Sequence, residues 1–286
     1  MLIWPAPAKL NLFLHITGQR DDGYHLLQSV FQFLDYSDQL SFDIRDDAEI
    51  HRATDIAGVD ETSDLTVRAA TLLQQTANIK QGVNIHIEKN LPMGGGVGGG
   101  SSDAATTLVA LNYLWNAGLS LDQLAQLGLQ LGADVPVFVK GEAAFAEGVG
   151  EQLQPIELDE PWFLVVKPPV HVSTAEIFSD PQLTRNSPAI KICDLRAGAI
   201  HLDDLSNVCQ PVAIRHYPEI AEVIATLQQH GQARMTGTGA CVFAGFDTEE
   251  QARQVQQALP GRWKSFVARA MNTSPLHRVL NDQVQK

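Results

Sequence analysis

Residues 91–108 read LPMGGGVGGGSSDAATTL, with six glycines in seven positions followed at once by Ser101, Ser102, Asp103 and an alanine-rich run. Glycine removes the Cβ that would keep another group from the main chain, and successive bare N–H groups suit an anionic oxygen. A helix opening directly behind such a loop adds the positive end of its dipole, worth about 0.3–2 kcal/mol to an anion. The chemistry implied is phosphate binding. A second glycine-rich turn, Met235-Thr-Gly-Thr-Gly-Ala240, lies far along the chain.

The flanks of the first loop discriminate between phosphate-binding designs better than its glycines do. A P-loop needs Lys-Ser/Thr after its last glycine, and here Gly100 is followed by Ser101-Ser102. Gly94, Gly96 and Gly99 formally match the dinucleotide fingerprint, but that motif also needs a second strand ending in an acid, and Asp122 falls at the start of a helix. A protein-kinase loop would lead into Val-Ala-Ile-Lys, which is missing. What remains is strand, glycine loop, Ser-Ser cap, helix.

Several elements must position this loop. Leu10, Leu12, Leu14 and Ile16 alternate with Lys9, Asn11, Phe13 and His15, the period of a strand with one buried face, so Lys9 and Asn11 point the same way. A turn at Asp21-Asp22-Gly23 follows, then Tyr24-His25, then strands around Gln28–Leu34 and Gln39–Ile44. Ser63–Ala77 has helical spacing, and Val83–Glu88 alternates as the strand that feeds the glycines. Ser101–Trp115 reads as a helix with Ser101 or Ser102 as N-cap and Asp103 in the first turn. Lys89 either approaches a bound nucleotide or is a solvated strand end. Ser120–Leu131 is a further helix, and Asp134-Val-Pro resembles a capped helix start.

Ala143–Ala146 and Trp162–Lys167 read as strands on either side of an acidic connection, Glu151–Glu160, which places a boundary between domains 1–155 and 156–286. The second domain mixes helices near Pro218–His230 and Thr248–Leu259, the latter opened by the capping box Thr248-x-x-Gln251, with strands near Ala240–Gly245 and Phe266–Ala270. Strands in runs rather than regular strand-helix alternation predict an α+β fold.

Bulk properties bound the function. At 286 residues the chain is long enough for two domains. Net charge is −13, with 8 basic against 19 acidic side chains in residues 1–155 and 12 against 14 in 156–286. That balance excludes a nucleic-acid binder, and it means that local donors and a cation must hold any phosphate. The N-terminus MLIWPAPAKLNLFLHI, broken by Pro5 and Pro7, does not read as a signal peptide, and no apolar run approaches the ~20 residues of a membrane span. Cys193, Cys209 and Cys241 form neither a disulfide framework nor a zinc pattern. A cytoplasmic protein is expected.

The stretch from Pro92 to Ser102 resembles the phosphate loop of the galactokinase, homoserine kinase, mevalonate kinase and phosphomevalonate kinase superfamily, GHMP for short. Five separated motifs narrow the likeness: Pro7-Ala-Lys-Leu-Asn-Leu12, Asp22-Gly-Tyr-His25, Gly98-Gly-Gly-Ser-Ser-Asp-Ala-Ala105, Gly132-Ala-Asp-Val-Pro-Val-Phe138 and Thr236-Gly-Thr-Gly-Ala240. Together they are similar to the family of kinases acting on a cytidine-diphosphate-linked methylerythritol, through nearly the whole chain. Gly95 and Val97 stand where that family commonly has Ala and Leu.

The resemblance implies a two-domain GHMP-kinase-like fold with the active site in the inter-domain cleft. It further implies transfer of the ATP γ-phosphoryl to the 2-hydroxyl of that sugar alcohol, a step in isoprenoid precursor synthesis by the non-mevalonate route. ATP and Mg²⁺ are the implied cofactors. Pro92, Met93, Gly94, Gly95 and Gly96, then Val97, Gly98, Gly99 and Gly100, with Ser101 and Ser102, would hold the ATP phosphates. A Ser101 or Ser102 hydroxyl would lie near Mg²⁺, whose protein ligands the sequence does not identify.

Matching positions make Asp134 the acceptor of the substrate hydroxyl proton, as an alternative or addition to its capping role. Lys9 would sit beside it and offset charge on the transferring group. Tyr24 and His25 would form the cytosine pocket, Asn11 would hydrogen-bond the substrate, and Thr174 and Phe178 would contact it too. Gly237, Thr238 and Gly239 would approach substrate phosphates. Homoserine or mevalonate kinases share the loop but have no need of Tyr24-His25, and a nicotinamide-dependent oxidoreductase needs the missing acid-tipped strand. The expected partners are the small-molecule substrate and ATP, with neither nucleic acid nor membrane, in a monomer or weak homodimer.

Overall fold

The computed structural model describes residues 2–284. The apolar alternation after Trp4 forms strand β1 (Trp4–Gln19), which turns back into β2 (His25–Arg45), 21 residues long. The stretches Gln28–Leu34 and Gln39–Ile44, read from sequence as separate strands, are one. The reason lies in β1, which pairs with β2 from His25 to Leu40 through register shifts between Pro7 and Lys9, Asn11 and Leu14, and Ile16 and Gly18. Such bulges bend a ladder without ending it.

The remaining strands are β3 (Ile50–Arg52), β4 (Gly82–Glu88), β5 (Ala144–Glu147), β6 (Gln152–Pro155), β7 (Trp162–Lys167), β8 (Ala233–Met235), β9 (Val242–Phe246) and β10 (Lys264–Met271). The free edge of β2 is shared in succession by β5 at Ser29–Phe31, β10 at Phe33 and Leu34, and β4 from Gln39 to Arg45. One sheet therefore runs β3-β4-β2-β10-β7-β9-β8, with β1 on the other side of β2 and β5-β6 as a spur. The acidic connection near residue 155 is not wholly irregular, because Gln152–Pro155 pairs with β5.

Helices α1 (Leu65–Thr76), α2 (Gly99–Leu114), α3 (Leu121–Leu129) and α4 (Val135–Lys140) cover the first part of the sheet. Their core joins Trp4, Phe33, Leu40 and Ile85 of the strands to Leu73, Leu108 and Phe138 of the helices. Every residue from Ser102 to Leu111 is buried, since α2 is wedged between the sheet and its neighbouring helices. Ala104, Ala105 and Ala110 keep it slim enough to fit.

The later part carries α5 (Thr174–Ser179), α6 (Ile192–Arg196), α7 (Gln210–His216), α8 (Pro218–Leu227), α9 (Glu249–Ala258) and α10 (Pro275–Val284). Helices α8 and α9 pack on β7 to β10, and both halves of the expected Thr248/Gln251 capping box form at the start of α9. The last helix returns to β1, placing Leu276 in the first core. The fold is thus α+β.

Strand β1 was expected to bury one face, yet Lys9, Asn11 and Phe13 are as buried as Leu10 and Leu12. Helices α2 and α10 pack on it, while both glycine-rich turns hydrogen-bond to its backbone. Alternation between polar and apolar residues marks a solvated face only when nothing else claims it.

Candidate active site

The bend in β1 brings Lys9 and Asn11 to the point where the two glycine turns meet. The Lys9 amide donates to the Val97 carbonyl at 3.0 Å, and the Asn11 amide donates to Thr236 Oγ1 at 2.9 Å. The turns also bind one another directly, through the Cys241 amide to the Gly95 carbonyl at 3.0 Å and Thr236 Oγ1 to the Gly96 carbonyl at 3.3 Å. Asn207 fixes the second turn from behind by donating to the Met235 and Gly237 carbonyls.

Side chains are excluded from most of the glycine run by protein, not by space kept for a ligand. A Cβ on Gly94 would meet His171 at 2.7 Å, on Gly95 the Cys241 sulfur at 2.6 Å, and on Gly98 the Phe138 ring at 2.7 Å. On Gly96 it would lie 2.4 Å from the Thr236 carbonyl oxygen, with φ at +76°. Only Gly99 and Gly100 have ordinary clearance, 3.5 Å to Leu91 and Leu65. Gly96→Ala is expected to cost at least about 3 kcal/mol, from left-handed strain plus parting of two backbones, lowering the melting temperature by roughly 6–12 °C. Thermal unfolding checks this, and a loss under about 1 kcal/mol would mean that the turns part freely.

The helix behind the loop starts earlier than its serines suggested. Gly98 is the N-cap, in the left-handed region at φ +77°, with no side-chain cap bond. The first intrahelical bond runs from the Ser102 amide to the Gly98 carbonyl, leaving the amides of Gly99, Gly100 and Ser101 at the open end of α2. Neither Ser101 nor Ser102 is the cap, because residues without a Cβ can reach the left-handed N-cap that the loop requires. Ser102 is fully buried with an unpartnered Oγ, whereas Ser101 lines the cavity and its Oγ lies beside Gly132.

Asp134 differs from expectation too. Its backbone is in the right-handed helical region and its side chain makes no cap bond, since a helical N-cap cannot swing its carboxylate onto the following amides. The carboxylate instead faces Lys9, with Oδ2 3.2 Å from Nζ. Lys9 is 2% exposed. Its ammonium also donates to Asn11 Oδ1 at 2.5 Å and lies 4.6 Å from the centre of the Phe31 ring. Asn11 Nδ2 donates in turn to Ser29 Oγ, so the lysine head is held from several sides. The Asp134 side chain is 38% exposed and opens to the cavity.

That cavity, of about 1050 Å³, is continuous. Lys9, Asp134 and the glycine loop occupy its middle. One end is lined by Ile56, Val59, Asp64, Leu65, Lys89 and Leu91; the other by Gln19, Tyr24, His25, Thr174 and Phe178. Pro92, Met93, Gly94 to Gly100, Ser101, Asn11, Gly237 and Thr238 also line it, whereas Ser102 and Gly239 do not. Gly239 turns away, and a Cβ there would meet the Met235 sulfur. At the second end Thr174 Oγ1 and Thr238 Oγ1 are 3.0 Å apart, Tyr24 is exposed, and the His25 ring stacks on Phe178.

The first end was largely missed in the sequence. Isolated apolar residues before and within α1 carry no signal of a ligand, and only a long-range contact reveals them. Lys89 is neither free nor solvated, for it is shared between Asp38 and Asp103. Asp38 is fully buried and accepts from the Asn90 and Leu91 amides. Asp103 takes the Lys89 ammonium on Oδ2 at 2.7 Å, and its Oδ1 has no partner.

Burial, reinforced by the charge of Asp38, pushes the Asp103 carboxyl up to about 7 in spite of Lys89. A carboxyl raised in the folded state binds its proton there more tightly than in the unfolded chain. Its contribution to stability therefore falls as pH rises from about 4 to about 7. Asp103→Asn is expected to be more favourable to stability at pH 8 than at pH 5, by about 1–3 kcal/mol, because the substituted side chain has no proton to lose. Denaturant unfolding at both pH values measures it, and an equal effect at the two would show that Asp103 does not titrate in this window.

Among the described residues no group of three or more His, Cys, Asp or Glu side chains is placed to hold a metal ion, and no helix is long and apolar enough to cross a membrane.

The chain matches the model of the GHMP kinases N terminal domain over residues 64–142 and that of the GHMP kinases C terminal over residues 194–265. It is 56% identical over 280 residues, 98% of each chain, to a 4-diphosphocytidyl-2-C-methyl-D-erythritol kinase of Pseudomonas paraeruginosa. A relative of the same name from Nitrosococcus oceani is 56% identical over 276 residues, covering 96% of this chain and 97% of that one. Among solved structures, a 4-(cytidine 5'-diphospho)-2C-methyl-D-erythritol kinase superposes with a TM-score of 0.80 at 31% identity, covering 94% of this chain and 99% of the other. The Methanococcus jannaschii mevalonate kinase shares the fold, with a TM-score of 0.70 at 18% identity over 95% of this chain and 98% of that one.

Proposed function

This chain belongs to the GHMP kinases, in the 4-diphosphocytidyl-2-C-methyl-D-erythritol kinase family, and from that premise we propose how its cleft phosphorylates that substrate. The protein is an ATP-dependent small-molecule kinase of isoprenoid biosynthesis. The observation that carries the mechanism is the buried Lys9 beside Asp134 at the centre of a cavity with two differently lined ends. A volume of about 1050 Å³ lies just above the range of ~300–1,000 Å³ for a single drug-sized ligand, which suits two nucleotide-like molecules meeting head to head.

ATP takes the end lined by Ile56, Val59, Leu65 and Leu91, its adenine against apolar side chains. Its phosphates lie on the open amides of Gly99, Gly100 and Ser101. The cytidine lies at the other end, where Tyr24 and Phe178 supply aromatic faces and His25 the polar atoms. The acceptor 2-hydroxyl then reaches the γ-phosphorus beside Asp134.

In the transfer the hydroxyl O–H bond breaks to Asp134, an O–P bond forms to the γ-phosphorus, and the bond from that phosphorus to the β,γ-bridging oxygen breaks to give ADP. Positioning and charge stabilisation do most of the work in such a reaction. Lys9, itself buried and held by Asn11 and Phe31, offsets charge on the transferring group. Mg²⁺ would neutralise phosphate charge when bound. The Ser101 hydroxyl and the unpartnered Oδ1 of Asp103, both on residues that line the cavity, are oxygens of the kind such an ion takes and would be the protein groups to hold it.

An ADP-release assay across the cytidylyl substrate, mevalonate and homoserine tests this reading. Turnover is expected with the first alone, since the smaller acceptors leave the Tyr24 end empty. Comparable turnover with mevalonate would overturn the assignment.

A further inference from the structure

His25 opens β2 at one end of the cavity, its ring stacked on Phe178 with centroids 5.1 Å apart and planes 18° from parallel. Arg185, which does not line the cavity, donates from Nε to His25 Nε2 at 3.0 Å. Its remaining nitrogens donate to the carbonyls of Leu183, Phe178 and Asp180, so the guanidinium is held by the same segment that carries Phe178. A guanidinium can only donate and keeps its charge. The histidine nitrogen facing it must therefore accept, which leaves a neutral ring with its proton on Nδ1. Burial and the adjacent Arg185 charge both lower the pKa of His25.

We propose that Arg185 is a positioning residue that fixes His25 as an Nδ1–H donor, and so sets this end of the cavity for a base offering an acceptor at its edge. Cytosine N3 is such an acceptor; uracil carries a proton at the same place. A histidine free to exchange tautomers would serve either base, whereas a locked donor leaves uracil N3–H facing another donor, and unpaired polar groups in a closed site discriminate strongly. The inference rests on the cytidine reading of this end and supplies its selectivity.

The test uses full-length protein with ¹⁵N-labelled histidine, the His25 signals being identified by their loss in His25→Gln. The parent is expected to show His25 protonated on Nδ1 and bare on Nε2 from pH 6 to 9. Arg185→Met should move the proton largely to Nε2 and raise the titration midpoint, and Arg185→Lys should restore the parent tautomer. A purely structural arginine would leave the tautomer unchanged. A proton on Nε2 in the parent, or an unaltered spectrum in Arg185→Met, overturns the proposal. If Arg185→Met does not fold, the parent spectrum and Arg185→Lys decide alone.

Binding provides the second arm. The parent should prefer cytidine 5'-diphosphate to uridine 5'-diphosphate by about tenfold or more, and Arg185→Met should reduce this to about threefold or less. The KM for the cytidylyl substrate should rise about tenfold with a smaller change in kcat. If cytidine 5'-diphosphate does not bind the parent, the cytidine reading and the selectivity fall together, while the tautomer still decides what Arg185 does to His25. An undiminished preference in Arg185→Met overturns the selectivity alone.

Discussion

Replacing Asp134 with alanine is expected to lower kcat by about 10²–10⁴-fold, a barrier increase of roughly 3–5 kcal/mol, while ATP and the cytidylyl substrate still bind. The geometry makes this a clean experiment. The Asp134 side chain caps no helix, so its removal does not unravel α4, whose first turn is already stiffened by Pro136. Lys9 loses one partner but keeps Asn11 and the Phe31 face. The melting temperature should therefore move by only a few degrees. Turnover from the ADP-release assay and affinity from calorimetry separate the two effects. Turnover within a few-fold of the parent would show that no base acts at this position.

Lys9→Met should have the second largest effect, a fall in kcat of about 10²–10³-fold with smaller changes in either KM. Methionine fills nearly the same volume, so the 2% exposed site stays packed, and removing a buried ammonium costs little stability in itself. What is lost is a fixed positive charge 3.2 Å from Asp134, beside the transferring phosphoryl group whose equatorial oxygens carry the negative charge of the transition state. If Lys9 and Asp134 act as one unit, the double variant will be little worse than the weaker single one. Full multiplication of the two losses would mean that they act independently. A raised KM for ATP with kcat intact would reduce Lys9 to a phosphate contact.

These two side chains illustrate what a sequence can and cannot carry. That Lys9 and Asn11 share a direction follows from the two-residue period of a strand, and the hydrogen bond between them agrees. Both halves of the capping box at Thr248 and Gln251 were legible for a similar reason, since three residues on a helix are neighbours whatever surrounds them. The glycine loop and the helix behind it were likewise visible as local chemistry, whereas a role for Tyr24 and His25 came from the resemblance alone. Motif resemblance extended that reading to the family, because five short segments retain their residue types in order.

Other features resisted local reading for identifiable reasons. A serine pair beside glycine looks like a cap, but Gly98 enters the left-handed region and starts the helix before the serines. Lys89 looked free because its partners Asp38 and Asp103 are 51 and 14 residues away. Arg185 gave no signal at all, since its bond to His25 spans 160 residues. Four of the glycines proved necessary to let the two turns and their neighbours touch, which no count of glycines in one turn could reveal.

The sequence by itself marked most of the longer elements and the composition of the glycine loop, and the family resemblance named Lys9 and Asp134 as candidates for the reacting pair. Tertiary structure alone decided that Asp134 turns to Lys9 rather than to its own helix, that the cavity has two ends, and which nitrogen of His25 is held. Local periodicity depends on backbone geometry within one turn or one pleat. The direction of a charged side chain depends on which partner the packed sheet delivers within about 3–4 Å, and that partner is set by how the whole chain closes.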